Sequence, residues 1–198
     1  MHHHSEKTHK ALLKNKIWLI LGNSGSGKST LSRHLYYLFS NNKNEELNLT
    51  FPIVNNFETN YISNSIVYLS SEPFHIHGTC KENIIFDDET LLTKVDLSLL
   101  SQFQLDASIL NRDVNMISRG ESQRISIIRA LIRNPKVIIL DEATNGLDLH
   151  LESAVVSFIN HYLQDSLLII VTHRPSNLLN PNLIFHINAD SVDIQSNN

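Results

Sequence analysis

Gly22-Asn23-Ser24-Gly25-Ser26-Gly27-Lys28-Ser29-Thr30 matches G-x-x-x-x-G-K-[ST], the sequence pattern of a phosphate-binding loop. The apolar run Ile17–Leu21 leads into this loop and predicts a buried strand, and Leu31–Phe39 follows it and predicts a helix. A strand, a glycine-rich loop and a helix in this order are the local structure that the pattern requires. The chain is therefore predicted to be built around a site for the phosphates of a nucleotide.

The residue types of this loop suit phosphate chemistry. Its three glycines allow backbone conformations that a Cβ would block, so successive N–H groups can converge on phosphate oxygens. The N-terminus of the following helix adds the positive end of its dipole. Lys28 is expected to reach the β- and γ-phosphates, and Ser29 is expected to offer its hydroxyl to Mg²⁺. All nine residues from Gly22 to Thr30 are predicted to bind the nucleotide.

Length and composition limit the classes of protein to consider. The chain has 198 residues and a formal net charge of -4, which suits one domain with its own core and gives no overall basic field for nucleic acid. The single cysteine, Cys80, excludes an internal disulfide and is expected to be a buried apolar residue. No apolar run approaches the roughly 20 residues of a membrane helix. Residues 1–7 are expected to be a tag-like or disordered N-terminus, because Met1-His2-His3-His4 resembles part of a purification tag.

Apolar runs alternate with helical patterns along the rest of the chain. The runs that predict further strands are Leu47–Val54, Ile66–Leu69 (a short buried strand), Val137–Leu140, Leu167–Val171 and Leu183–Ile194, the last as one or two edge strands. Thr8–Lys16 is expected to hold the end of another edge strand. The patterns that predict helices are a start at Lys81–Phe86, short helices over Leu91–Leu110, a helix from Ser118 to before Pro135, and Leu151–Leu163. This alternation predicts an α/β fold of the P-loop NTPase kind, a mainly parallel sheet flanked by helices.

Two acidic residues end the clearest of these strands. Asp141 and Glu142 directly follow Val137–Leu140. Asp141 can hold the coordination shell of Mg²⁺, the Walker B role, and Glu142 is placed to polarise a water against the γ-phosphate. Adjacent carboxylates at the end of a buried strand repel each other, which favours a functional reason for the pair. Ser29 and Asp141 are therefore the predicted metal ligands.

His173 follows the predicted strand Leu167–Val171. A neutral imidazole at the carboxyl end of that strand could hydrogen-bond the γ-phosphate and the attacking water. A histidine with no function in an ordinary loop is the alternative interpretation, and the sequence Thr172-His173-Arg174 favours the functional one. Lys28, Glu142 and His173 are the predicted catalytic residues.

In these motifs the chain resembles the nucleotide-binding domain of ABC transporters, most closely the exporter type. The resemblance covers nearly all of residues 12–190 and keeps the motif order of the family. The stretches that carry it are Gly22–Thr30 (Walker A), Ser71–Ile84 (the stretch after the Q-loop), Ile117–Glu121 (the LSGGQ signature), Asp141–Thr144 (Walker B), Asn145–Asp148 (the D-loop) and His173 (the switch histidine).

The resemblance implies an ATPase that uses ATP and Mg²⁺ and works as a head-to-tail dimer. ATP on the Walker A of one domain would be covered by the signature of a second one, with Ser118 and Gly120 facing its γ-phosphate. It also implies a single ABC-type ATPase domain over residues 8–194. Within it, residues 82–118 would form a helical subdomain beside an abbreviated antiparallel β-subdomain, and residues 195–198 a disordered tail.

The resemblance further implies a membrane partner. Closure and hydrolysis would drive transport by a transmembrane domain, on another chain or upstream, which would hold this domain at the cytoplasmic side of a membrane. The alternative is a non-transport ABC ATPase that acts as an ATP-dependent switch on a macromolecular complex. The Glu72-Pro73-Phe74 stretch and the lack of a basic face favour the exporter interpretation.

The chain departs from the family pattern at several positions. Ser71 stands where the Q-loop glutamine is expected, and its side chain is too short to reach Mg²⁺ except through water. In the signature, Arg119 replaces a glycine, and its side chain could either crowd the ATP or add a cation to the phosphates. Glu121 replaces a neutral glutamine near a polyanion, which should weaken closure electrostatically. The D-loop reads Asn145-Gly146 instead of Ser-Ala.

The family's upstream aromatic residue, which stacks on adenine, also has no counterpart here. The first aromatic side chain is Trp18, which lies on the core strand and is expected to be a core residue. Because the hydrolytic residues are intact and the signature is altered, an asymmetric heterodimer is one hypothesis that the sequence supports, and a homodimer is the other.

Overall fold

The computed structural model describes residues 16–40, 65–143, 149–162, 165–173, 180–188 and 191–197. Its strands are β1 (Lys16–Gly22), β2 (Ile66–Ser70), β3 (Val137–Asp141), β4 (Leu167–Thr172), β5 (Leu183–Ile187) and β6 (Val192–Ser196). Its α-helices are α1 (Lys28–Phe39), α2 (Cys80–Ile85), α3 (Leu97–Gln102), α4 (Arg119–Leu131) and α5 (Leu149–Tyr162). Short 3-10 helices cover Glu89–Lys94, Ala107–Asn111 and Val114–Met116.

The described strands form one sheet in the order β2-β3-β4-β1-β5-β6. Every neighbouring pair is parallel except β5 and β6, which are antiparallel. This arrangement confirms the predicted mainly parallel α/β sheet. The register places Leu21 opposite Thr172, and Asp141 opposite Val171. The carboxyl ends of β1, β3 and β4 therefore meet at one edge of the sheet, where ligands bind in open α/β folds.

Helices cover both faces of the sheet. Along β1, Ile17 and Leu19 point to the face covered by α2 and α4, and Trp18 and Ile20 point to the face covered by α1. This alternation follows from the two-residue period of a strand. Burial on both faces explains why β1, β3 and β4 read as continuous apolar runs in the sequence.

Trp18 is a core residue, as the sequence predicted. Its side chain is only 3% exposed. The ring centroid lies 6.3 Å from that of Phe39 in α1 and 5.7 Å from that of Phe185 in β5. The indole therefore joins the sheet to α1 and does not face a nucleotide.

The segment between β2 and α4 contains several short helices, and each begins at a polar N-cap residue. The N-cap residues are Thr79, Asp88, Asp96, Asp106, Asp113 and Ser118, and each accepts a hydrogen bond from a first-turn N–H group. The apolar sides of these helices bury Ile84, Leu100 and Phe103 in the core. The predicted short helices are confirmed, and Cys80 is buried as predicted.

Two expectations need correction, and others concern residues that the structure does not describe. The residues of β2 are only partly buried, because β2 stands at one edge of the sheet that the described strands form. Pairing with β5 extends β6 to Ser196, two residues into the segment predicted as a disordered tail. The predicted strand in Leu47–Val54 and the edge strand before Lys16 lie outside the described residues. Among the described helices, none has the length and apolar character needed to cross a membrane.

Candidate functional site

The phosphate-binding loop connects β1 to α1. Gly25 and Gly27 have φ angles of 79° and 98°, in the left-handed region that favours glycine. The loop closes on itself through Ser26 N, which donates to Asn23 O at 3.2 Å. Gly27 is the N-cap residue of α1, so it has no side chain to occupy the N–H groups of the first turn. The loop and the helix N-terminus therefore present backbone donors to an anion.

Lys28 is the charged residue of this loop. Its side chain is 4% exposed, and its Nζ donates to Asn23 O at 2.8 Å across the loop. Nζ also lies 4.0 Å from Glu142 Oε1. The structure thus brings together two of the predicted catalytic residues, Lys28 and Glu142, beside the phosphate-binding loop.

Asp141 is the buried carboxylate of the site, with only 5% of its surface exposed. Its Oδ1 accepts a hydrogen bond from Ser29 Oγ at 3.2 Å, which joins the two predicted metal ligands. Its Oδ2 accepts from Ser32 Oγ at 3.1 Å and from Tyr68 OH. Burial, and then the bond to Asp141, raise the pKa of Tyr68 to about 12, so the phenol stays protonated.

Ser32 and Tyr68 are not among the site residues that the sequence predicts. Ser32 lies three residues after Ser29 on α1, so both hydroxyls occupy one helix face, and this spacing was a readable signal. Tyr68 faces Ile139 in the register between β2 and β3. Because side chains alternate along a strand, Tyr68 lies on the same face of the sheet as Asp141. That contact depends on strand order, which the sequence does not display.

The donor set around Asp141 fits Mg²⁺. A buried carboxylate needs a compensating positive charge, yet the groups that contact Asp141 are neutral hydroxyls. Carboxylate and hydroxyl oxygens are hard ligands of the kind that Mg²⁺ prefers. Within the described ranges, no cluster of three or more His, Cys, Asp or Glu residues could hold a metal by itself. The Asp141 carboxylate and the Ser29 hydroxyl are the groups that would hold such an ion.

Glu142 has an unusual backbone. Its φ is 53°, a left-handed value that is uncommon for a residue with a side chain. Its N–H donates to Val171 O at 3.0 Å, which holds it against β4. Its side chain is 37% exposed, so the carboxylate reaches solvent beside the buried Asp141. Strained backbone of this kind clusters at functional sites.

His173 directly follows the last residue of β4 and is exposed. Thr172, its neighbour, lies opposite Leu21 in the β1 register, one residue before the glycine that begins the loop. The fold therefore places His173 at the same sheet edge as the loop and Asp141. The predicted D-loop, Asn145–Asp148, lies outside the described residues.

The predicted signature forms the N-terminus of α4. Ser118 is its N-cap residue, and Glu121 completes a capping box with it. Glu121 Oε2 accepts from both Ser118 N and Ser118 Oγ at 2.7 Å, and Glu121 Oε1 lies 3.1 Å from Arg112 Nη1. These hydrogen bonds, those from the Ser118 backbone first, hold the pKa of Glu121 below its ordinary value. The Ser118 groups expected to face a phosphate therefore already contact a carboxylate of their own helix.

A groove runs between the edge strand β2 and α4. Its cavity measures about 370 Å³. The side chains that define it include Tyr68, Phe74, Phe86, Gln123, Arg129 and Arg133. Phe74 is 67% exposed, and Arg129 Nη2 donates to its carbonyl oxygen at 2.7 Å. The groove lies beside residues 71–79, so the Ser71 position adjoins a surface with an exposed aromatic ring.

Comparison with known proteins agrees with these features. The sequence model of the family described as "ABC transporter" matches residues 7–145. The chain is 34% identical over 189 residues to the ATP-dependent permease MDL1 of Candida albicans, covering 89% of this chain and 27% of that protein. It is 32% identical over 177 residues to the lactococcin-G-processing and transport ATP-binding protein LagD of Lactococcus lactis, covering 82% of this chain and 24% of that protein.

A solved chain described as "Structure of a bacterial Atm1-family ABC exporter with ATP bound" superposes with a TM-score of 0.71 at 20% identity, over 92% of this chain and 34% of that one. At this identity the superposition supports the fold alone. The chain spans about a quarter of the length of the two curated relatives named above.

Proposed function

Because this chain belongs to the ABC transporter family, we propose that it is an ATP-hydrolysing domain that drives transport by a membrane-spanning partner. The observation that carries the proposal is the meeting of Lys28, Ser29, Asp141 and Glu142 at one sheet edge, where the loop between β1 and α1 presents its backbone donors. Each group has a charge or a donor that a nucleoside triphosphate requires.

Each residue of the site has its own role in ATP hydrolysis. Backbone N–H groups of the loop and the Lys28 ammonium bind the β- and γ-phosphates. Ser29 and Asp141 would hold Mg²⁺, which, when bound, neutralises charge on the phosphate oxygens. Glu142 takes a proton from the water that attacks the γ-phosphorus, while the bond to the β,γ-bridging oxygen breaks and leaves ADP and phosphate. His173 donates a hydrogen bond to the γ-phosphate.

The relatives suggest which other domains work together with this one. MDL1 is described as a permease and LagD as a processing and transport ATP-binding protein, and both are several times longer than this chain. We assign to this domain a second nucleotide-binding domain as its partner, with Ser118 and Gly120 facing the nucleotide of that partner. A transmembrane domain, on the same or another chain, would hold it at the cytoplasmic side of a membrane.

The groove between β2 and α4 is the surface that suits this transmembrane partner. It combines a concave shape with the exposed rings of Phe74 and Phe86, and exposed apolar patches of this kind mark interaction sites. Residues 71–79 connect the groove to β2, whose neighbour β3 ends at Asp141. Movement of a docked partner can therefore reach the nucleotide site through two paired strands.

The experiment that tests the proposed function compares Lys28→Ala and Glu142→Gln with the unchanged chain. We expect Lys28→Ala to lose MgATP binding, measured by calorimetry, because the loop loses its only buried ammonium. Glu142→Gln should keep binding and lose phosphate release by about a hundredfold or more. Glu89→Gln, an exposed carboxylate remote from the loop, is the matched control. Equal phosphate release by Glu142→Gln and Glu89→Gln would contradict the proposal.

A further inference from the structure

Three hydroxyl groups contact the Asp141 carboxylate, and they divide unequally between its two oxygens. Oδ1 receives Ser29 Oγ at 3.2 Å, whereas Oδ2 receives Ser32 Oγ at 3.1 Å and Tyr68 OH. We propose that Tyr68, assisted by Ser32, is a positioning residue that fixes Asp141 by Oδ2 and leaves Oδ1 to bind Mg²⁺ beside Ser29. This inference rests on the proposed function, because it concerns the metal that accompanies ATP.

Tyr68 is the more important of the two donors to Oδ2. The Ser32 hydroxyl has one proton and three acceptors within reach, since Ser29 O lies at 3.1 Å and the Tyr68 oxygen at 3.2 Å in addition to Asp141. The phenol proton points to a carboxylate, and hydrogen bonds to ionised acceptors are about twice as strong as neutral ones. Because the phenol O–H donates its hydrogen bond to Asp141, the phenol oxygen can accept one from Ser32. The two hydroxyls then form one chain that ends on Oδ2.

Rigid elements fix the phenol ring on both sides. Tyr68 stands on β2, paired with Ile139 of β3 two residues before Asp141. Tyr36 of α1 contacts the Tyr68 ring edge-on, with centroids 5.8 Å apart and planes at 71°. A ring fixed by a strand and by the helix that follows the loop can fix a carboxylate in turn. Ser32 is fully buried and stands on the same helix as Ser29.

This arrangement gives the edge strand a direct contact with the metal site. β2 leads into Ser71, whose side chain is too short to reach a metal. Tyr68, three residues earlier, reaches the metal-binding carboxylate of the neighbouring strand instead. Residues that orient metal ligands change metal affinity by about 10- to 100-fold when they are replaced. We therefore expect Tyr68 to govern how strongly Mg²⁺ increases the affinity for ATP.

The test measures binding and not turnover. In the Glu142→Gln background, the dissociation constant of a fluorescently labelled ATP is measured with Mg²⁺ and with EDTA. The magnesium effect is the constant in EDTA divided by the constant in Mg²⁺. Tyr68→Phe should reduce that ratio by about tenfold and leave the constant in EDTA unchanged. Tyr37→Phe, which removes a phenol hydroxyl from the ring beside Tyr36, is the matched control and should change neither constant.

A double-mutant comparison separates positioning from a general loss of structure. In an Asp141→Asn background, which should itself remove the magnesium effect, Tyr68→Phe should have no further influence on the ratio. A magnesium effect that Tyr68→Phe leaves intact would overturn the inference, and so would a loss of affinity that is equal in Mg²⁺ and in EDTA. If the Glu142→Gln chain bound no labelled ATP with Mg²⁺, the proposed function would fail first and the inference with it.

Discussion

Replacement of Glu121 by glutamine is expected to strengthen ATP-driven association of this chain. Glu121 Oε2 accepts from Ser118 N and Ser118 Oγ, both at 2.7 Å, and Arg112 holds the other carboxylate oxygen at 3.1 Å. The γ-phosphate of a nucleotide bound to a partner would need the same two Ser118 donors. The Glu121 carboxylate must then move aside, but it remains close to the phosphate. Glutamine can keep the capping box without the negative charge, so the change removes repulsion and keeps the helix.

The magnitude follows from Coulomb's law. Two unit charges about 5 Å apart repel by about 0.8 kcal/mol in water and about 3 kcal/mol at an effective dielectric constant of 20. A central value of about 1.4 kcal/mol corresponds to a tenfold change in affinity for each composite site. A symmetric dimer has two such sites, so its dissociation constant should fall by about a hundredfold if the sites are additive. The lost pair with Arg112, which is exposed to solvent, costs less than about 1 kcal/mol of folding stability.

The assay is sedimentation equilibrium with MgATP in the Glu142→Gln background, which prevents hydrolysis. Glu82→Gln is a closely matched control, because Glu82 forms the same capping box with Thr79 at the start of α2, at 2.7 and 2.9 Å. Only Glu121→Gln should strengthen association, and the difference should shrink in high salt because exposed charges are screened. Equal dimerisation by the Glu121 and Glu82 variants would refute the electrostatic reasoning.

Three further predictions concern stability. Trp18→Ala should lower the free energy of unfolding by about 3–5 kcal/mol in chemical denaturation, because it empties the core between Phe39 and Phe185. Ser118→Ala should cost about 1 kcal/mol by removing the N-cap of α4, and Ser118→Thr, which keeps the hydroxyl of the capping box, should retain most of that stability. Burial, and then the charge of Arg129, lower the pKa of His75, so the unfolded chain binds more protons than the folded one as the pH falls below 6.5. The free energy of unfolding should therefore decrease as the pH drops through 6.5. His75→Gln should make thermal melts less dependent on pH in this range.

Much of the site could be predicted from the sequence because its chemistry is local. The loop from Gly22 to Thr30 fixes a backbone shape through its own glycines, and Asp141 and Glu142 follow the strand that carries them. Parallel strands between helices bring such strand ends to one edge whatever their exact order. Lys28 and Glu142, or Ser29 and Asp141, therefore meet as predicted although more than a hundred residues separate each pair.

The contacts that the sequence did not predict depend on which strand lies beside which. Tyr68 reaches Asp141 only because β2 pairs with β3, and β2 reads as a buried strand although it is an edge. The occupation of the Ser118 donors by Glu121 had a readable signal, the S-x-x-E capping box. The same Ser118 donors suit either a partner's phosphate, as the resemblance implies, or the carboxylate of Glu121. Arg112, nine residues before Glu121, had no such signal.

The charge of Glu121 also bears on the choice of partner. On the side of Lys28 and Asp141, the domain offers a buried ammonium and a carboxylate that fits a metal, both suited to a triphosphate. On the side of Ser118, it offers an ionised carboxylate within hydrogen-bond distance of the donors that a phosphate needs. Two copies of this chain would place that carboxylate in both composite sites, whereas a partner with a neutral signature would leave it in only one. We therefore expect a domain with a neutral signature to compete with self-association when the two are mixed with MgATP, because such a pair avoids about 1.4 kcal/mol of repulsion at one site.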